Sequence, residues 1–153
     1  MGYDLHRLIE GRPLMLGGIH IPFDRGPLGH SDGDVIAHAM CDALLGAAGL
    51  PDIGTMFPPG DPNYAGVAGT VLLRDVRQKL ADQGWRVVNI DATVIIEGPA
   101  IAPFRTAMAG AIAAALDIAP EAVSVKAKTN EGMDAIGRGE AVAAHAIALI
   151  EQD

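Results

Sequence analysis

The chain has 153 residues, half of them hydrophobic and only 4% aromatic, so a single domain over 1–153 with a core of Ala, Val, Ile, Leu and Met is expected. A formal net charge of −8 excludes the basic footprint that nucleic-acid binding needs, so an anionic ligand would have to be held by metals, helix N-termini and a few placed cations. Cys41 is alone, which excludes an internal disulfide, and with no secretory leader and no apolar run long enough for a bilayer a soluble, cytoplasmic protein without a membrane partner is expected.

In chain order, Met1 to Leu8 alternates as a short strand, and Leu14 to Pro22 reads as a second strand with a bulge or bend at Gly17-Gly18. Gly26-Pro27 reads as a turn. Ser31 with Asp34 three residues later resembles a capping box, and a helix is predicted over Gly33 to Ala48, stopped by Gly49 and Pro51. Asp52 to Gly66 is a Gly/Pro/Asp-rich loop, long enough to be suspected of function. A second helix is predicted from about Thr70 to Gln83, with Val71, Leu72, Val76 and Leu80 on one face and Gly84 closing it. Trp85 to Ile96 is a β-branched strand. Ile101 to Leu116 is an Ala-crowded helix, and Ala122 to Lys128 is a strand. Glu140 to Ile150 fits helix or strand and is taken as a strand for its alternation. The order β-β-α-α-β-α-β-β implies an α/β (α+β) sandwich, a mixed sheet with helices packed on one face.

Chemistry concentrates near the N-terminus. Asp4 and His6 stand two apart, so an extended strand points them to one side. One carboxylate and two imidazoles make an open tetrahedral zinc site if His38 joins them. Asp34, His38 and Asp42 share a helical face, so Asp34 or Asp42 could hold the second ring nitrogen of His38. Taken alone, His38 equally fits a solvated acidic face. His30 and Ser31 precede the helix, where free backbone N–H groups favour an anion. Ser31 reads first as the N-cap, and His30 either as a phosphate donor or as an ordinary loop histidine. Lys126 to Gly132 follows a strand with two cations, a hydroxyl and the Glu131 carboxylate, a set that suits phosphates and a hard cation such as Mg²⁺ as well as a polar turn. Arg138, between two glycines, is either an anion clamp or a surface arginine. Cys41 reads as a core thiol, and His145 as a buried or interface histidine.

Together these residues resemble the 2-C-methyl-D-erythritol 2,4-cyclodiphosphate synthase family, over essentially the whole chain. The matching stretches are Asp-x-His at Asp4 to His6, HSDGDVIAHAMCDALLGAAGLPDIGTMFP from His30 to Pro58, Asp61-Pro62, VKAKTNE from Val125 to Glu131, and GRGE from Gly137 to Glu140. The resemblance implies a homotrimer with active sites between subunits and a CMP-releasing lyase of the non-mevalonate isoprenoid route. Its substrate would be 4-diphosphocytidyl-2-C-methyl-D-erythritol 2-phosphate. It implies zinc on Asp4, His6 and His38, and Mg²⁺ or Mn²⁺ on Glu131. His30 and Thr129 would stabilise the transition state. Ser31, Asp52, Ile53, Gly54, Phe57 and Asp61 would contact substrate. Pro99, Ala100, Ile101, Ala102 and Lys128 would form the cytidine pocket. Arg138 would line a central cavity that holds an isoprenoid diphosphate in some members.

The chain departs from the family pattern at four places. Pro59 stands for a common acidic residue, Ala100 for a Lys, Lys128 for a Thr, and Asp134-Ala135 for Gly-Phe. The N-terminal strand is a few residues short, and some relatives are fused to a cytidylyltransferase. Two other activities compete for the same residues: a zinc phosphohydrolase using a metal-bound hydroxide, and a non-catalytic trimer that binds isoprenoid diphosphates.

Overall fold

A computed structural model describes residues 1–58 and 60–152. Pro59, one of the four departures from the family pattern, lies outside the described residues. A mixed five-stranded sheet carries the fold. Its strands are β1 (Gly2–Glu10), β4 (Arg25–Pro27), β5 (Trp85–Ile95), β6 (Val123–Lys128) and β7 (Ala141–Gln152), in the spatial order β4-β1-β7-β5-β6. Among the described residues, β5–β6 is the one parallel pair. A separate hairpin, β2 (Leu14–Leu16) with β3 (Ile19–Ile21), sits beside it.

Three helices cover one sheet face: α1 (Val35–Ala47), α3 (Gly69–Ala81) and α4 (Arg105–Leu116). Between them α2 (Ile53–Met56) is a single turn, and α5 (Asp134–Gly137) is another just before β7. Along β7 the alternation is plain: Val142, Ala144 and Ala146 are buried against the helices while His145, Ile147 and Leu149 face outward. The small residues of β7 let α1, itself nearly all buried, lie close over the sheet. No helix among the described residues is long and apolar enough to cross a membrane.

Several expectations change. Leu14 to Pro22 is two short strands rather than one bent strand. Gly17 and Gly18 both have positive φ, 56° and 78°, the backbone of a tight two-residue hairpin turn. Gly26-Pro27 belongs to an edge strand paired with β1, where a proline is tolerated because its missing N–H faces no partner strand. Ser31 is not the N-cap. Gly33 turns the chain with φ 72°, so α1 starts at Val35 and the cap is Asp34.

Asp34 is fully buried and accepts four backbone N–H groups. Oδ1 takes those of Ile36 and Ala37 at 3.1 Å each and that of Gly17 at 2.9 Å, while Oδ2 takes that of Gly18 at 2.7 Å. One carboxylate therefore caps α1 and pins the hairpin turn. Burial pushes its pKa up and the nearby Asp32 charge adds to this, while the N–H groups of Gly18, Ala37 and Gly17 oppose it. With four donors around it, the carboxylate form is the one the geometry satisfies. Asp32 ties the same segment to α3, accepting from Gly69 N at 2.8 Å and from Asp34 N at 3.1 Å.

Asp34→Asn is expected to lower stability by about 2 kcal/mol, because an amide NH₂ must then oppose an N–H donor. Thermal denaturation measures it, and a melting temperature equal to that of the parent would remove Asp34 as the anchor.

Candidate active site

Asp4 and His6 lie on the helix-facing side of β1, opposite Ala144 and Val142 of β7. His38 lies one turn into α1. The two elements meet because position 2 is glycine: a Cβ there would fall 1.8 Å from the Ala39 carbonyl oxygen. At that separation His38 Nδ1 comes to 2.9 Å from Asp4 Oδ2, and His6 Nε2 to 3.1 Å from the same oxygen. The three potential ligand atoms all lie within 4.8 Å of one another.

The chemistry of this donor set suits a metal. His6 Nδ1 is 2.8 Å from the Leu28 carbonyl, which can only accept, so Nδ1 carries the proton. In the neutral ring Nε2 then turns a lone pair toward the Asp4 carboxylate. Two acceptors so opposed need either a proton or a metal cation between them, and a ring held through its other nitrogen is how a metal-bound imidazole is oriented. Burial alone would raise the Asp4 pKa. The hydrogen bonds and charges of His38 and His6 outweigh it and hold the carboxyl well below the usual range. The Asp4 hydrogen bond raises the pKa of His6 against the opposing effect of burial.

Asp34 and Asp42 do not hold His38. The Asp34 side chain folds back over the helix end, and Asp42 Oδ1 accepts from Ile53 N at 2.7 Å, setting the start of α2. Instead, Ser31 Oγ stands 3.2 Å from His38 Nε2 and also accepts from Gly33 N.

Beside the triad opens a cavity of about 600 Å³. Its polar wall is His6, His38 and the loop from Leu28 to Ser31. Its apolar wall is Ile53, Gly54, Phe57, Tyr64, Val67 and Leu72. The long Asp52–Gly66 loop therefore builds part of this wall. Asp52 caps α2 through Thr55 N at 2.8 Å, its pKa lowered by that bond, and Asp61 caps the following turn through Asn63 N at 2.9 Å. Neither lines the cavity. Tyr64, which packs edge-on against Phe57 with ring centres 5.2 Å apart, is a lining residue that sequence reasoning missed. Its signal was an aromatic pair inside a Gly/Pro-rich loop of a chain poor in aromatics.

The remaining candidates lie elsewhere. Thr129 and Glu131 follow β6 and are joined by a 3.1 Å hydrogen bond. Pro99, Ala100, Ile101 and Ala102 follow β5, a few residues beyond Ile96, whose N–H donates to the Lys128 carbonyl at 3.0 Å. Across the sheet, Asp4, Ala144, Val94 and Ala127 share one row, so both clusters sit at a similar height. They are nevertheless three strand spacings apart, roughly 14 Å. One chain does not bring them together. Arg138 is exposed and doubly bonded to Glu140, at 3.0 Å for each contact. Cys41 is a buried core thiol whose pKa burial raises far above normal. His145 is exposed rather than buried, 4.8 Å from the Tyr3 ring.

Fold and site thus define an α/β protein with a carboxylate–diimidazole centre at the mouth of a half-apolar cavity. The chain belongs to the YgbB family, whose model matches residues 1–151. Over 149 residues it is 57% identical to the 2-C-methyl-D-erythritol 2,4-cyclodiphosphate synthase of Symbiobacterium thermophilum, covering 97% of this chain and 95% of that one. The fold superposes on a CDP-bound form of a 2C-methyl-D-erythritol-2,4-cyclodiphosphate synthase with a TM-score of 0.90, at 36% identity over 98% of this chain and 97% of that one. It also superposes on the bifunctional IspDF of Campylobacter jejuni with a TM-score of 0.95, at 38% identity; there it covers 99% of this chain but only 41% of the longer one.

Removing one ligand should empty the centre. Asp4→Ala, His6→Ala and His38→Ala are each expected to lose tightly bound divalent metal in elemental analysis of the purified chain. Retention of metal by all three would overturn the assignment.

Proposed function

We propose that this chain carries out the reaction its relatives are named for. It closes 4-diphosphocytidyl-2-C-methyl-D-erythritol 2-phosphate into 2-C-methyl-D-erythritol 2,4-cyclodiphosphate, a CMP-releasing lyase step of the non-mevalonate isoprenoid pathway. The observation that carries this reading is the convergence of Asp4, His6 and His38 beside the Leu28–Ser31 loop, in a chain more than half identical to a named synthase.

An oxygen of the 2-phosphate attacks the β-phosphorus of the diphosphate, and the bond from that phosphorus to the oxygen bridging it to the α-phosphorus breaks. CMP leaves with that oxygen. Nucleophile and target belong to one molecule, so the protein needs to fold the substrate and neutralise its charge. No side chain acts as a covalent nucleophile, and the buried Cys41 is placed for none. Asp4, His6 and His38 would hold Zn²⁺, and Glu131 would hold Mg²⁺ or Mn²⁺. Bound there, the two cations would supply Lewis-acid polarisation of the diphosphate oxygens. His30 and Ser31 bind the reacting phosphates from the loop, and Thr129 donates to the developing charge from the other side. Ile53, Gly54 and Phe57 receive the methylerythritol, with Asp52 and Asp61 at the margin. Pro99 to Ala102 and Lys128 form the cytidine pocket, where Lys128 supplies a cation in place of the one missing at Ala100.

Two observations support a homotrimer with shared sites. The clusters around Asp4 and Glu131 are too far apart to act on one small molecule within a chain. The sheet face away from the helices carries an exposed apolar patch: Tyr3, Leu5, Ile147 and Leu149 are each about half exposed. In a trimer built on this patch, the Glu131 edge of one subunit would meet the Asp4 edge of the next. In such an assembly Arg138 would line a central cavity. The isoprenoid diphosphate taken up by some relatives would have to compete there with Glu140 for the guanidinium. The cytoplasm is the compartment that suits a reduced Cys41 and small phosphorylated substrates.

Incubation with the cytidylyl substrate, Zn²⁺ and Mg²⁺ is expected to give equal CMP and cyclic diphosphate by ³¹P NMR, with no oxygen taken from labelled water. Linear products carrying the label would instead identify a phosphohydrolase. Tight prenyl diphosphate binding without turnover would identify a non-catalytic binder.

A further inference from the structure

We propose that Arg12 is a positioning residue for phosphate recognition, holding the backbone of the His30 loop so that its amides are presented to the ligand. This rests on the reading of the cavity as a phosphate site.

Arg12 lies in the turn between β1 and β2, half-buried behind the loop. Its Nη2 reaches the carbonyl oxygens of Gly29 and Ser31 at 3.4 and 3.5 Å, one on each side of His30. Its buried Nε has no partner among the described residues, and no carboxylate there pairs with the guanidinium. A half-buried guanidinium with no carboxylate partner carries a desolvation cost that two long carbonyl contacts offset only in part.

The hydrogen bonds of the loop indicate the role of Arg12. Four successive carbonyls each accept from a donor. Leu28 O takes His6 Nδ1 at 2.8 Å, Gly29 O takes Arg12, His30 O takes Gly66 N at 2.8 Å, and Ser31 O takes Arg12 again. In a planar trans peptide the C=O of one residue and the N–H of the next point in opposite directions. Holding the carbonyls of Leu28, Gly29 and His30 therefore turns the N–H groups of Gly29, His30 and Ser31 away from those donors. These three amides donate to no acceptor among the described residues, and all three residues line the cavity. The His30 N–H, opposite the Arg12-bound carbonyl of Gly29 and so directed away from the Arg12 turn, is the amide this geometry offers to an anion. Arg12 fixes the middle peptide, which presents the His30 amide, and locks the loop beyond it through Ser31. Its unneutralised charge also raises the potential behind those amides.

The test compares full-length, metal-loaded parent, Arg12→Gln and Arg12→Lys for calorimetric binding of inorganic pyrophosphate, with metal content and melting temperature measured alongside. Arg12→Gln is expected to bind pyrophosphate roughly tenfold more weakly at unchanged metal content. Arg12→Lys is expected to recover only part of that affinity, because its ammonium keeps the charge but cannot hold both carbonyls. Affinity of Arg12→Gln within twofold of the parent would overturn the proposal. So would equal losses in Gln and Lys variants that track lost metal or lost folding, since Arg12 would then be structural only. Failure of the parent itself to form a cyclic diphosphate would count against the proposed reaction, and the pyrophosphate comparison would still decide the role of Arg12.

Discussion

Helix α1 lies so close to β1 that position 2 has no room for a side chain, and the candidate site depends on that approach. Asp4 and His6 are fixed by strand register, while His38 is fixed by where α1 begins and how deeply it settles. The Asp34 carboxylate determines the first, because it caps the helix while gripping the hairpin turn at Gly17 and Gly18. Gly2 and the Ala-rich inner face of β7 determine the second. A larger residue at either place would separate His38 from Asp4 without touching any group that contacts a ligand. The centre is in this sense a product of packing.

The same short segment serves two purposes. From Leu28 to Asp34 the chain bonds to β1, to the Arg12 turn, to the β2–β3 hairpin, to the loop at Gly66 and to the start of α3. So much cross-bonding leaves little freedom to reorganise when a charged ligand arrives. That is the condition under which fixed dipoles stabilise a transition state. It also explains how a strongly acidic protein can hold a multiply charged phosphate ester. On the proposed reading, the favourable potential comes from oriented backbone, two or three placed cations and a metal held by Asp4, His6 and His38 rather than from net charge.

Much of this was legible in the sequence. The long strands and three long helices follow from hydrophobic period and from Gly/Pro punctuation, and the candidate metal-binding cluster from Asp4-x-His6 with a helical His38. What escaped has a common cause: it depends on contacts between distant segments. Ser31 looks like a cap because Ser favours caps. Gly33 instead turns the chain and gives the cap to Asp34, leaving Ser31 to face His38. Gly17-Gly18 looks like a bulge because alternation runs through it, yet both residues adopt the hairpin conformation that lets Asp34 bind their N–H groups. Spacing of i±4 along α1 points to Asp34 and Asp42 as the partners of His38, whereas its ring nitrogens meet a strand carboxylate and a loop hydroxyl. Tyr64 joins the cavity only because the 52–66 loop folds back on Phe57.

The spacing of Asp4 and Glu131 across one sheet has the largest consequence. If the reaction needs both clusters, it needs two copies of the chain. The most direct measurement mixes two inactive variants, Asp4→Ala and Glu131→Gln, unfolds and refolds them together, and assays cyclic diphosphate formation. Hybrid oligomers place an intact Asp4 edge beside an intact Glu131 edge, so activity is expected to return in the mixture and in neither variant refolded alone. Hybrids that form, as native mass spectrometry would show, and stay inactive would contradict a site shared between subunits.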